Sequence, residues 1–238
     1  MNLRKKIRAL VNSVGMAYVK IVCKKEYLNQ KFVNFNERSI EFAFLFKYLS
    51  SIWPKNILDV GSGMTALPHL IQNCGFQVTA IDNIRDYWPS GMVNRHFHII
   101  DDDIKDSKLQ KDQFDFIACI SVLEHIEDHE SAIKSMVDLL KIGGSLMLSF
   151  PYTENAYCGN VYLHPDSSVG KKYPFVTQSF SRSQIDVWLK KNSLEVVDQE
   201  YWTFFAGPYW TCGERLLKPV KVNENNLHQL TCVLLKKI

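Results

Sequence analysis

The chain contains no C-x-x-C pair. Its six cysteines (Cys23, Cys74, Cys119, Cys158, Cys212 and Cys232) are scattered across 238 residues, several inside apolar runs. That argues against a disulfide framework and a zinc site, and it fits a reducing cytoplasm. Long apolar runs are also missing, so nothing in the chain has the roughly 20 consecutive apolar residues that span a bilayer. No internal repeat or low-complexity tract is present, which argues against a solenoid or a disordered linker. Hydrophobic residues at 46% and charged residues at 22% are ordinary globular usage. The length suits one α/β domain with a sizeable core.

Acidic residues are absent from positions 1 to 25, which hold Arg4, Lys5, Lys6, Arg8, Lys20, Lys24 and Lys25. Subtracting those seven from the overall charge of +3 leaves about −4 for the remainder, so the body does not resemble a nucleic-acid binder. A secretory signal does not fit, because Asn12, Ser13, Gly15 and Lys20 break the apolar stretch and no small-residue cleavage site follows. Two roles suit a basic amphipathic helix here: peripheral contact with an anionic membrane surface, or a cap over an active-site mouth, the role favoured. Residues 1–54 are therefore expected to form a helical, basic extension, and residues 55–238 the main domain.

Periodic segments alternate through that domain. Residues 31–52 show helical spacing ended by Trp53-Pro54, and Asn56 to Val60 is a short buried strand running into Gly61. A helix to about Gly75, strands at 77–81, 96–100 and 115–121, a helix at 129–141 and a strand at 145–150 follow. This order predicts a doubly wound, mostly parallel α/β sheet. Residues 152–178 have little periodicity and many aromatics, the pattern of a functional insertion. After a helix from Ser181 to Asn192 come two strand-like runs, 194–203 and 228–236, expected as an antiparallel pair at a sheet edge.

Asp59-Val60-Gly61-Ser62-Gly63 lies where a strand hands over to a helix, and small residues there let the backbone approach a ligand. About twenty residues on, Asp82 ends the next strand, where a carboxylate accepts hydrogen bonds from ribose hydroxyls. A pyrophosphate would favour a third glycine and no acid nearby, but Ala66 holds that place and Asp59 precedes the turn. An acid there suits the ammonium of a methionine moiety instead. The balance moves from a nicotinamide cofactor to S-adenosyl-L-methionine.

Three runs, Ile57 to Gly63, Val78 to Asp82 and Phe114 to Ile126 with its Leu123-Glu124-His125 segment, followed by Leu140 to Leu146 with Gly143-Gly144, resemble the successive motifs of class I S-adenosylmethionine-dependent methyltransferases. The resemblance covers roughly residues 55–200 and implies a Rossmann-like, seven-stranded sheet with an antiparallel edge strand. Position by position it implies that Asp59, Gly61, Ser62 and Gly63 line the methionine end, Asp82 and Asn83 the ribose and adenine side, Asp103 and Ile104 the adenine ring, and Ile120 and Ser121 the floor. Met64-Thr65 departs from the family's usual small residues, and the triple acid Asp101-Asp102-Asp103 leaves the adenine-facing position open by one residue.

His125 is the candidate catalytic base, its unperturbed pKa suiting proton removal near neutrality. Glu124, Tyr157, Tyr162 and His164 are candidates for the acceptor side, with Asp166, Tyr173 and the loop 86–91 as further polar and aromatic groups. The acidic and histidine cluster at 124–130 does not share one helix face, so no metal is assigned. The expected acceptor is an oxygen or nitrogen of a small molecule, a saccharide or glycoconjugate precursor first. The rivals are a nicotinamide-dependent oxidoreductase, with Tyr27-x-x-x-Lys31 as its catalytic pair, and a non-catalytic nucleoside-binding module of the same fold.

Overall fold

The computed structural model describes residues 3–30, 36–84, 93–169 and 175–238. It divides into two compact units, Met1–Phe35 and Asn36–Ile238. The first contains helix α1 (Leu3–Leu28), none of whose residues is buried. No helix among the described residues is long and apolar enough to cross a membrane. Lys31, Tyr173 and the loop 86–91 lie outside the described residues.

The second unit is one eight-stranded sheet with helices on both faces. Its strands are β1 (Asn56–Val60), β2 (Gln77–Asp82), β3 (Ile100–Asp101), β4 (Phe114–Ile120), β5 (Leu140–Pro151), β6 (Leu194–Phe205), β7 (Arg215–Val222) and β8 (Leu230–Lys237), in the order β3-β2-β1-β4-β5-β8-β6-β7. The pairs from β3 to β5 are parallel. β8 is antiparallel to both β5 and β6, and β7 is antiparallel to β6. The doubly wound α/β class is as expected, with eight strands in place of seven. The closing antiparallel strand β8 is interior, and the true edge is β7, a run in which no residue is buried and which contains Pro219. An exposed strand carries no two-residue apolar alternation, and an edge tolerates proline.

Among the described residues four helices cover the sheet: α2 (Arg38–Ile52), α3 (Leu67–Asn73), α4 (His129–Leu139) and α5 (Arg182–Asn192). The alternation along β4 divides the core. Phe116, Ala118 and Ile120 pack with Phe44, Leu45 and Leu49 of α2 and Ile71 of α3, whereas Ile117 and Cys119 pack with Ile133 and Met136 of α4 and Trp188 of α5. Helix α2 thus belongs with the sheet and not with the basic N-terminal extension. Its face also carries one fully buried acid, Glu41. Local chemistry sets the helix starts: Asp128 accepts the Ser131 amide at 3.1 Å, and Ser181 donates its amide to Gln184 Oε1 at 3.0 Å in a capping box.

The strand order reverses between β1 and β4, the topological switch where open α/β sheets bind ligands beyond their carboxyl ends. The turn after β1 and the turn after β4 face each other there. Gly61 has φ +73°, and a Cβ on it would stand 2.3 Å from Cγ2 of Val122. Glycine is needed at this position because the neighbouring strand's turn closes over it.

Candidate active site

A cavity of about 640 Å³ opens at this switch point, within the usual range for small-molecule sites. Asp59, Gly61, Ser62, Gly63, Asp82, Asn83, Asp103, Ile104, Ile120, Ser121 and His125 all line it. These residues come from four separate strand ends, so the sheet brings together what the sequence spreads over 67 positions, from Asp59 to His125 inclusive.

The glycine turn is tied to the acid of β2. Gly63 donates its amide to Asp82 Oδ2 at 2.7 Å, and Gly61 donates to the Ile81 carbonyl at 2.9 Å. Burial pushes the Asp82 carboxyl upward, with the Gly63 and Asn83 amides opposing. Asp59 is 2% exposed, and its Oδ2 accepts the Ser62 hydroxyl at 2.7 Å. Desolvation raises its pKa to about 7, against the Ser62 hydrogen bond, which lowers it. The triple acid divides its work. Asp101 accepts the Ile84 amide, Asp102 accepts Ser107 Oγ at 2.6 Å, and Asp103 caps the short turn beginning at Ile104 by accepting the Lys105 amide at 2.9 Å. Asn83 reaches Asp103 Oδ2 at 3.3 Å, joining the two cavity walls.

Two further side chains at this end of the sheet come from α2 and had no place in the sequence motifs. Arg38 lines the cavity and donates to Glu41 Oε2 at 2.8 Å. The other oxygen of Glu41 accepts Ser121 Oγ at 2.6 Å and Ser149 Oγ at 2.7 Å. One buried carboxylate thereby fixes a cavity cation to the ends of β4 and β5. Ser121, with φ +49°, is held as well by its amide, which donates to the Ser149 carbonyl. The available signal was an acid on an otherwise apolar helix face, Ile40-Glu41-Phe44-Leu45, with an arginine three residues earlier.

His125 lies in the one-turn helix after β4. Its Nδ1 is 2.8 Å from the Val176 carbonyl, so Nδ1 carries the proton and Nε2 holds the lone pair. Burial lowers its pKa, and Arg38 adds to the effect. Glu124 does not line the cavity: it is 4% exposed, its Oε1 lies 4.0 Å from His125 Nε2, and Oε2 has no hydrogen-bond partner. Burial raises its pKa to about 8. A neutral carboxyl therefore backs the imidazole near pH 7.

The remaining acceptor-side candidates stand outside the cavity. Tyr157 donates to Gln178 Oε1 at 2.7 Å, and His164 Nδ1 is 3.5 Å from Cys212 Sγ. Tyr162 is one ring removed, packing edge-on against the cavity residue Phe175 at 6.3 Å. The structure thus brings His125 into the same cavity as the ten positions expected at the cofactor and leaves Glu124, Tyr157, Tyr162 and His164 behind the lining. Among the described residues no group of three histidine, cysteine or acidic side chains is arranged to hold a metal.

A family model described as a methyltransferase domain matches residues 31–199. The chain belongs to the methyltransferase family. With that membership the oxidoreductase alternative falls away. Among curated relatives, a ubiquinone biosynthesis O-methyltransferase of Coxiella burnetii is 28% identical over 160 residues, 60% of this chain and 65% of that one. The chain thus matches just under two thirds of that relative's length. Among solved structures, a methyltransferase of Methanosarcina mazei aligns with TM-score 0.54 and 15% identity over 87% of this chain and 99% of that one. The N-methyltransferase NodS of Bradyrhizobium japonicum, in complex with S-adenosylhomocysteine, aligns at 0.52 and 18% identity over 87% and 89%. Both share the fold.

Proposed function

We propose that this methyltransferase methylates an oxygen of a small molecule, with His125 as the base. The observation that carries the reading is the single cavity in which the glycine turn, two buried or half-buried acids, Arg38 and His125 converge. The residues fit the cofactor group by group. Arg38 offers a cation to its carboxylate and Asp59 an acid to its ammonium, while Asp82 is an acceptor for ribose hydroxyls. Asn83, Asp103 and Ile104 edge the place for the purine. Acids on both walls would repel a diphosphate, which agrees with the missing third glycine.

When bound, the cofactor supplies a methyl group on a positively charged sulfur, which leaves as a neutral thioether. The chain's own residues do the rest by position and by proton removal. Phe42, Val122, Ile126 and Phe175 give the cavity apolar walls that exclude water. His125 Nε2 takes the acceptor's O–H proton as the oxygen lone pair forms the bond to the methyl carbon. An oxygen acceptor is favoured over nitrogen by the O-methyltransferase name of the relatives and by a base kept neutral by burial, since an amine can attack before losing its proton. Saccharide or glycoconjugate hydroxyls fall within this class.

Assaying methyl transfer to phenolic, saccharide and amine acceptors, in wild type and in His125→Ala, tests the reading. Turnover on hydroxyls that collapses in the variant is expected. Turnover on amines alone, unchanged by the variant, would replace it.

A further inference from the structure

Helix α1 carries an apolar pattern of its own. Along its 26 residues the apolar side chains Leu3, Ile7, Leu10, Val14, Ile21 and Leu28 recur at alternating spacings of three, four and seven, which places them on one stripe of a 3.6-residue helix. Val11, Tyr18 and Val22 widen that stripe to an arc of about 120°. None is buried: Leu3, Leu10, Val14 and Ile21 are between 63% and 70% exposed. Lys5, Lys6, Arg8, Lys20 and Lys24 project from the rest of the circumference, together with the apolar Met16, Val19 and Tyr27; Arg4 sits at the stripe's margin, Lys25 falls in line with Ile7 inside it near the C-terminal end, and the sole acid is Glu26.

A spanning role does not fit. The longest stretch without a charge is Ala9 to Val19, eleven residues, or about 16 Å of helix, against a hydrocarbon thickness of about 30 Å. Pairing of two copies along the stripe does not fit either. With Ile7, Val14 and Ile21 at one core position of a heptad and Leu3 and Leu10 at the other, the second core position is also filled by Lys24, and Lys20 would face Lys25 of the second helix. Cations at the edge of an apolar stripe, with almost no acid to neutralise them, complement a surface that is apolar within and anionic at its rim.

We propose that α1 binds in the plane of a membrane surface rich in anionic lipid, its stripe set among the acyl chains and its lysines and arginines among the headgroups. The long basic stems allow this, because they lie along apolar surface while their charges remain in water. The body of the protein, at about −4 without residues 1–25, would be repelled from the same surface, so attachment rests on α1.

Flotation of the full chain with vesicles of phosphatidylcholine, alone or with roughly 30% phosphatidylglycerol, tests the proposal. Binding is expected only with the anionic lipid and is expected to weaken steeply as salt shortens the Debye length from about 10 Å to about 3 Å. The double variant Ile7→Asp with Val14→Asp should no longer float, although it should bind S-adenosylhomocysteine as wild type does, which shows that the body is folded. Each of Lys5→Gln and Lys20→Gln should lower the partition coefficient about fivefold. Absence of flotation, equal flotation with neutral vesicles, or flotation that survives the double variant would each overturn the proposal. So would sedimentation showing a dimer that the double variant dissolves in the absence of vesicle binding.

Discussion

At the scale of single residues, the site is governed by what burial does to three titratable groups. Asp59, raised to about 7 by desolvation, holds a proton in the ligand-free fold that the unfolded chain has already lost above about pH 4. Its contribution to stability is therefore present below that pH and is lost as pH rises through about 7. A bound ammonium would favour the charged carboxylate, so cofactor binding should expel this proton. Titration calorimetry with S-adenosylhomocysteine near pH 6 in two buffers of different ionisation enthalpy should show proton release in wild type and none in Asp59→Asn; equal heats in wild type would remove Asp59 from the ammonium site. His125, lowered by burial, should give a pH-rate profile that rises through a pKa below the ordinary histidine value. His125→Ala should lose that rise and reduce kcat by roughly 10² to 10⁴ with the cofactor Kd nearly unchanged. Asp82→Ala should cost about 1.5–3 kcal/mol of cofactor affinity, measurable by the same calorimetry.

At the scale of elements, two joints hold the cavity in shape. One is the Glu41 carboxylate, which ties α2 to β4 and β5 through Arg38, Ser121 and Ser149. Glu41→Leu leaves a cation and two hydroxyls unpaired. It should lower stability by about 3 kcal/mol, a Tm fall of roughly 6 to 12 °C for a chain of this size. Glu41→Gln, which keeps an acceptor for the serines, should fall much less in Tm while weakening cofactor binding through a loosened Arg38. Equal losses in both variants would reduce Glu41 to a packing role. The second joint is the contact of the two turns, where a Cβ at Gly61 would stand 2.3 Å from Val122. Gly61→Ala should therefore destabilise the fold and weaken cofactor binding, and adding Val122→Ala should restore part of both. No recovery in the double variant would place the cost in the positive φ of Gly61 alone.

For the molecule as a whole, ligand-linked stability separates the cofactor classes. S-adenosylhomocysteine at about 100 times its Kd should raise the unfolding free energy by roughly 2.7 kcal/mol and shift the thermal midpoint. NAD at equal concentration should leave it in place, because the acids on both cavity walls oppose a diphosphate.

Much of this was legible along the chain because it is local. The alternation of strands and helices and the glycine turn follow from periodicity and from residues within a few positions of each other, whereas strand bounds do not: the run expected at 96–100 is a two-residue strand at Ile100–Asp101, and the one expected at 145–150 begins at Leu140. That the ten positions expected at the cofactor would meet in one cavity was legible because strand ends in a parallel sheet converge on the switch point. Tertiary structure alone decided what depends on distant partners. A helix-period pattern does not say which layer α2 joins, so Arg38 and Glu41 entered the site only when α2 packed beside β4. An exposed edge such as β7 leaves no apolar alternation to find. Glu124 and His125 are neighbours in sequence, yet one faces the cavity and the other is sealed behind it, because a single 3₁₀ turn sends successive side chains in different directions.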